Sequence, residues 1–443
     1  MDKRCSDRSK ENDGVDEGEE VEELKELVDE VRERQLKEPE AIASERLRRF
    51  EEAVELKEPD RVPLMFFTCG HLLGKYYKLS EIYFNYDVAK KAVSRAFQDF
   101  PSDIFIAVPA AEGFILSLAF SNHPDLAPFV RFLTGPMHDV LGDKYTKWPG
   151  RELSEDKPFQ FIGGEFMSPE EYGKFTEDPV GFINEVLLPR VCVNLSKPGA
   201  ARYATLAKLG MAAKDYFNAL IGMGIELAKL GAPSLSVTFA YTPLDIIGDF
   251  LRHPTHVMID LRRYPDKVKQ ATEVLVEPII KVALALKPVG AKYAFIPLHL
   301  NEMLSPKLFK EFYWPYLKKV IVELYNNGIK SFVLFEGDHT PHLETVLELP
   351  KGWGIGVFER ADIRRVRKVL KGHTCIAGGV PVSLLQQATP EKIDSYVREL
   401  IRDVAPEGGF VISPSVAEIA AEVPNANLRA LINAVLKYGE YRR

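Results

Sequence analysis

Short apolar runs recur along the chain, bounded by Gly, Pro and charged residues. Val62–Phe67, Asp103–Val108, Leu235–Ala240, Ala291–Pro297, Lys330–Phe335, Gly354–Phe358, Thr374–Ala377 and Gly409–Ile412 each read as a strand buried on both faces. Between the later runs, Pro265–Leu286, Pro306–Asn326, Ile363–Leu370 and Pro390–Val404 read as helices. An amphipathic helix over Ala41–Leu56 precedes the first strand, with Ala43, Leu47, Phe50 and Val54 at helical spacing and Pro59 after it. Alternating strand and helix implies a parallel sheet, and eight strands predict a closed α/β architecture, the (β/α)8 TIM barrel. A doubly wound open sheet is the alternative, but no Gly-x-Gly-x-x-Gly turn follows an early strand. Residues 120–230, approximately, exceed a normal crossover and are expected to form a cap inserted between strands 2 and 3.

Composition changes the picture mainly at the N-terminus. Residues 1–38 are dominated by Glu, Asp, Lys and Arg, and form an acidic extension ahead of the barrel domain at 39–443. Val21, Leu24, Leu27, Val28 and Val31 give a thin helical stripe there, so 20–36 reads as a surface or partner-binding helix. Elsewhere 46% apolar and 27% charged residues describe an ordinary globular protein. A net charge of -7 without a dense basic stripe argues against a nucleic-acid partner. Four cysteines without a Cys-x-x-Cys fit a reducing compartment, and no apolar run is long enough to span a bilayer. The expected location is the cytoplasm; the oligomeric state is left open.

Candidate chemistry collects where strands surface, the end of a barrel that carries active sites. The fifth strand breaks abruptly into Glu336, Gly337, Asp338, His339, Thr340, Pro341 and His342. Glu336 and His339 are candidate acids or bases, with Asp338 beside them for substrate binding or as a helix cap. His299, Glu336 and Glu359 follow three successive strands, and one His with two carboxylates suits zinc or a harder divalent ion. The bland reading pairs Glu359 with Arg360 or Arg364. Cys69 and His71 follow the first strand, Glu112 the second, and Tyr241 with Asp245 the third. Of these, Cys69, His71 and Tyr241 are candidate substrate contacts. His342 is expected on an outgoing helix, in solvent.

Several segments then carry a resemblance. Pro59-Asp60-Arg61-Val62-Pro63, Pro101-Ser102-Asp103-Ile104, Leu304-Ser305-Pro306, Trp314-Pro315-Tyr316, Gly378-Gly379-Val380-Pro381 and Pro424-Asn425-Ala426-Asn427-Leu428 occur in an order that resembles the uroporphyrinogen decarboxylase superfamily. The resemblance implies a (β/α)8 barrel, and it makes Asp103 a catalytic candidate, matching the aspartate of the true decarboxylases. It also marks two departures. The decarboxylases hold their polycarboxylate substrate with arginines after the first strand, but no arginine lies between Arg61 and Arg95 here. The corrinoid-linked methyltransferases of the superfamily bind zinc through a His-x-Cys and a later Cys, where this chain has Leu334, Glu336 and Val416. The implied function is therefore a divergent methyltransferase. It would move a methyl group between a small ether or amine substrate and a corrinoid carried by a separate protein, with zinc as a candidate cofactor. Decarboxylation of a carboxylate substrate and a degenerate small-molecule-binding barrel are the alternatives.

Overall fold

The computed structural model describes residues 39–68, 70–415 and 419–441. Its barrel strands are β1 (Met65–Thr68), β2 (Ile104–Ala107), β3 (Val237–Phe239), β4 (Tyr293–Leu298), β5 (Lys330–Phe335), β6 (Gly354–Phe358), β7 (Cys375–Val380) and β8 (Phe410–Pro414). Strands β3 to β8 form one parallel sheet in chain order, and β1 pairs with β2 in another. The two sheets meet where Leu64 bridges Ile412, and the Ile412 N–H donates to the Pro63 carbonyl at 2.9 Å. The result is the parallel α/β arrangement of a (β/α)8 barrel with one seam. Among the described residues, no ladder joins β2 to β3.

Side-chain alternation decides what faces inward. Phe332 and Leu334 on β5, Ile355 and Val357 on β6, and Cys375 and Ala377 on β7 share an inner cluster with Met65, Ile104 and Val411. The intervening Val333, Phe335 and Ile376 pack outward in the cluster shared with the helices. Helix α1 (Pro39–Val54) sends Phe50, Ala53 and Val54 into the inner cluster, and the Phe50 ring meets Tyr293 edge-on at 5.8 Å. It therefore plugs the N-terminal end of the barrel.

Asp103 belongs to this plug, which corrects its expected catalytic role. It sits at the start of β2, fully buried, and accepts from Arg49 at 2.6 Å, Arg61 at 2.8 Å and the Leu64 N–H at 2.8 Å. Burial pushes its carboxyl up, but the Arg61 and Arg49 guanidiniums outweigh burial and hold it below the usual range. The catalytic candidates lie at the opposite ends of the strands.

Other differences are local. The first strand starts at Met65 rather than Val62, consistent with Pro63, which has no N–H to give a ladder. The helix expected over Pro306–Asn326 is broken into Pro306–Leu308, a π-helical turn Phe309–Tyr313, and Trp314–Asn326. Between β2 and β3 lie short helices and hairpins followed by α2 (Ala200–Lys229), a helix of 30 residues. The helix expected over 20–36 lies outside the described residues. No helix among the described residues is long and apolar enough to cross a membrane.

Removing a buried acid that two guanidiniums face leaves uncompensated charge. Asp103→Ala should cost about 3 kcal/mol or more of unfolding free energy, read from the urea midpoint. A loss below about 1 kcal/mol would contradict this role.

Candidate active site

Strand β4 ends at Leu298, so His299 stands at its C-terminal mouth. The turn is held from beneath by Asp245, which accepts from the His299 N–H at 3.1 Å, the Leu300 N–H at 3.0 Å and the Tyr313 hydroxyl at 2.6 Å. Asp245 and Asp249 are four residues apart after β3, where the helix Pro243–Ile246 opens into a π-helical turn over Ile247–Arg252. Such turns often mark functional sites, and this one brings Asp249 Oδ2 within 2.6 Å of His299 Nδ1. The Tyr241 hydroxyl lies 2.6 Å from Glu112 and 2.8 Å from Asp249. With one proton, it donates to one of them at a time.

Glu112 reaches the group from a short antiparallel pair, Ala111–Glu112 against Phe132–Leu133. Gly113 makes that approach possible, since a Cβ there would fall 2.5 Å from the Leu133 nitrogen. Glu112 Oε1 lies 3.3 Å from His299 Nε2, and Glu336 Oε1 lies 3.6 Å from the same nitrogen. The imidazole is thus held at Nδ1 by Asp249 and faces two glutamates with Nε2.

These groups set one another's protonation. Burial alone would lower the His299 pKa, but Glu112, Asp249 and Glu336 outweigh it and raise the pKa well above its ordinary value. His299 is therefore an imidazolium at neutral pH. That charge, with hydrogen bonds from His299 and Tyr241, holds Glu112 below the usual carboxylate range despite burial. Glu336 goes the other way. Burial pushes its carboxyl up to about 8; Glu112 and Glu359 add to the effect and His299 opposes it. Asp245 is likewise pushed up to about 7 by burial, against the pull of His299.

The cluster opens on a cavity of about 560 Å³ whose wall includes Glu112, His299 and Glu336. The rest of the wall is largely aromatic and aliphatic. Strand β2 contributes Phe105, β3 Phe239 and β4 Phe295, while α2 closes the side with Phe217, Leu220 and Met223. The unpaired seam between β2 and β3 is thus where the cavity lies. Its size and apolar wall suit a small molecule with a few fixed polar contacts.

The expected residues divide. Glu336 and His299 come together as foreseen, while Tyr241 is fully buried in the hydrogen-bond network and absent from the cavity wall. Glu359 does not join His299. Its Oε2 accepts from the Gly337 N–H at 2.5 Å, so it holds the turn after β5 and acts on Glu336 by repulsion. Among the described residues, the group whose ligand atoms lie within 4.8 Å of one another is Glu112, Asp249 and His299. Asp338 is exposed and accepts from the Thr340 N–H at 2.9 Å, a local turn contact outside the cavity wall.

His339 is fully buried 4.4 Å from the Phe335 ring, and burial drives its pKa well below normal. It is neutral and does not reach the cavity wall. His342 is buried too, stacked on Phe309 at 4.0 Å, rather than in solvent. His71 opens a short 3-10 turn outside the wall, and Cys69 and Val416 lie outside the described residues. Asp249 was missed altogether; its one sequence signal is the four-residue spacing from Asp245 on a helical face.

Fold and cluster together define a (β/α)8 barrel with polar groups gathered at the strand ends. Residues 231–438 match the family model described as uroporphyrinogen decarboxylase (URO-D). A methyltransferase from Methanosarcina mazei superposes with a TM-score of 0.58 at 16% identity, covering 88% of this chain and 98% of its own. A B12-independent methionine synthase from Shewanella sp. W3-18-1 aligns at a TM-score of 0.34 and 12% identity, over 45% of this chain and 61% of that one. No curated protein matches. Over residues 231–438 the chain thus matches the uroporphyrinogen decarboxylase family model, and it shares its fold with the Methanosarcina methyltransferase.

The electrostatics have a direct check. In ring-nitrogen NMR titrations, His299 should remain protonated well above pH 6.5, while His339 stays neutral down to well below it. Glu112→Gln and Asp249→Asn should each lower the His299 pKa. A wild-type His299 that titrates at or below its ordinary value would contradict the cluster.

Proposed function

We propose that this protein is a methyltransferase whose cavity binds a small apolar methyl ether or amine, and whose Glu336 supplies the proton that the leaving heteroatom needs. The observation that carries this reading is the position of Glu336, in the wall of a largely apolar cavity and 3.6 Å from the His299 imidazolium. An alkoxide or amide anion leaves poorly, so breaking a C–O or C–N bond to a methyl group calls for an acid at that atom. A carboxyl pushed up to about 8 is protonated at neutral pH and able to donate. The methyl carbon passes to an acceptor nucleophile, the bonding electrons stay on the heteroatom, and the Glu336 proton neutralises it. His299 stays charged beside the resulting carboxylate and stabilises it. The acceptor in this reading is a corrinoid on a separate protein.

The donor set also fits a divalent ion. A ligating His commonly has its other nitrogen anchored by a carboxylate, as Asp249 anchors Nδ1, and Glu112 with Glu336 flanks Nε2. His299, Glu112 and Glu336 would hold zinc or a harder cation, which would polarise the leaving heteroatom. This replaces Glu359 by Glu112 in the expected ligand set. Decarboxylation of a polycarboxylate is less well served, because among the described residues Arg131 is the single arginine in the cavity wall.

Incubation with reduced cobalamin and anisole or trimethylamine, followed by the methylcobalamin spectrum, tests the reading. The rate should fall as pH rises through about 8, because Glu336 must be protonated to act. Glu336→Gln should lower kcat by about 100-fold or more. Unchanged turnover in that variant would remove Glu336 from the chemistry.

Equilibrium dialysis against zinc or manganese tests the ion. Binding should strengthen from about pH 6 to 9 as ligand protons leave, vanish in Glu112→Gln and persist in Glu359→Gln. Loss of binding only in the Glu359 variant would reverse that assignment.

A further inference from the structure

Arg131 is buried without an acid beside it. It follows the turn Ala127–Val130 and directly precedes Phe132, whose backbone pairs with Glu112. Its Nη2 donates to the Val282 carbonyl at 2.9 Å and its Nη1 reaches the Phe239 carbonyl at 3.4 Å. Its Nε has no partner among the described residues. Two other buried arginines face acids directly, Arg49 with Asp60 and Asp103 and Arg252 with Asp260 and Glu165. Arg46 and Arg367 donate to the Gly231 and Pro406 carbonyls but have Asp103 and Glu407 near enough to favour their charge. Burial is the one influence acting on the Arg131 pKa and lowers it to about 10, so the group stays charged at neutral pH. A buried cation held by carbonyl dipoles alone is costly, and an anion brought into its surroundings relieves that cost.

That anion has a place to come from, because Arg131 is part of the cavity wall. The titratable acids of the wall, Glu112 and Glu336, are occupied with His299. The Phe239 carbonyl that Arg131 touches lies two residues before Tyr241, roughly 7 Å along a strand from the acid cluster. Aromatic side chains, Phe132, Phe239 and Phe295 among them, contribute to the wall. The cavity therefore has a cationic pole, an acidic pole and ring-lined space.

We propose that the cavity takes an apolar, ring-sized molecule bearing one carboxylate, with the carboxylate paired to Arg131 and the opposite end at Glu336 and His299. A planar carboxylate matches the guanidinium fork, whereas a phosphate dianion would keep a charge unpaired in apolar surroundings. The assignment rests on the reading of this cavity as the substrate site, and it does not require methyl transfer.

Isothermal titration with 2-naphthoate and with its neutral counterpart 2-naphthamide tests it, since neither probe carries a methyl group to transfer. Wild-type protein should bind the acid about tenfold or more tightly than the amide. Arg131→Met should erase that preference by weakening the acid and leaving the amide within about threefold, with Arg131→Lys intermediate. Glu336→Gln, which disables the proposed methyl transfer, should keep the preference. Equal binding of the two probes by wild type, binding of neither, or a preference that survives Arg131→Met would overturn the proposal. Should thermal melts show that Arg131→Met does not fold, the wild-type preference and its reduction in Arg131→Lys decide. Tighter binding of 1-naphthyl phosphate than of naphthoate would overturn the carboxylate assignment.

Discussion

Four carboxylates and one imidazole share a small volume at the ends of β4 and β5 and in the segments after β2 and β3, and in a low-dielectric setting they cannot all be charged. The structure resolves the conflict by division of labour. Glu112 and Asp249 lie against His299 and Tyr241, and Asp245 is spent on the turn after β4. Glu336 receives no donor of comparable strength and faces the cavity, so it keeps its proton to about 8. Asp245, Asp249 and Tyr241 all serve to fix His299. Two π-helical turns serve this end, one carrying Asp249 and the other Tyr313, which donates to Asp245.

The cavity follows from a different constraint. An unpaired strand edge exposes backbone donors and acceptors and has to be covered. Here the seam between β2 and β3 is covered by α2, whose inner residues Phe217, Leu220 and Met223 stand off from the strands enough to leave an apolar chamber. The opposite end of the barrel is closed by α1 and the Asp103 ion pairs. One end is tied by charge and packing, while the other is left open for chemistry. The same feature that breaks the ladder thus supplies the binding space.

Much of this was legible in the residues. The limits of β5 and β6 match the apolar runs, because strands buried on both faces advertise themselves as uninterrupted apolar segments. Glu336 and His299 could be found as the first polar residues beyond such runs. Asp103 misled because it also adjoins a strand; its position at the start rather than the end of β2, matched by Arg61 just before the neighbouring strand β1, was the physical signal of a structural ion pair. Glu359 misled because a strand-end acid can turn toward a backbone N–H as readily as toward a metal. Asp249 and Arg131 were hidden for another reason. One sits in an irregular helical turn and the other between two short elements of the long insertion, where no periodicity reports orientation.

The central claim is that Glu336 is a neutral carboxylic acid beside a charged His299 at physiological pH. Infrared difference spectroscopy between about pH 6 and 9 reads this directly through the carboxyl C=O stretch. The component of the protonated-carboxyl band that titrates near 8 should be present at pH 7 and missing in Glu336→Gln, which leaves the Asp245 component that titrates near 7. A spectrum without that component at pH 7, or a component near 8 that survives the substitution unchanged, would contradict the account.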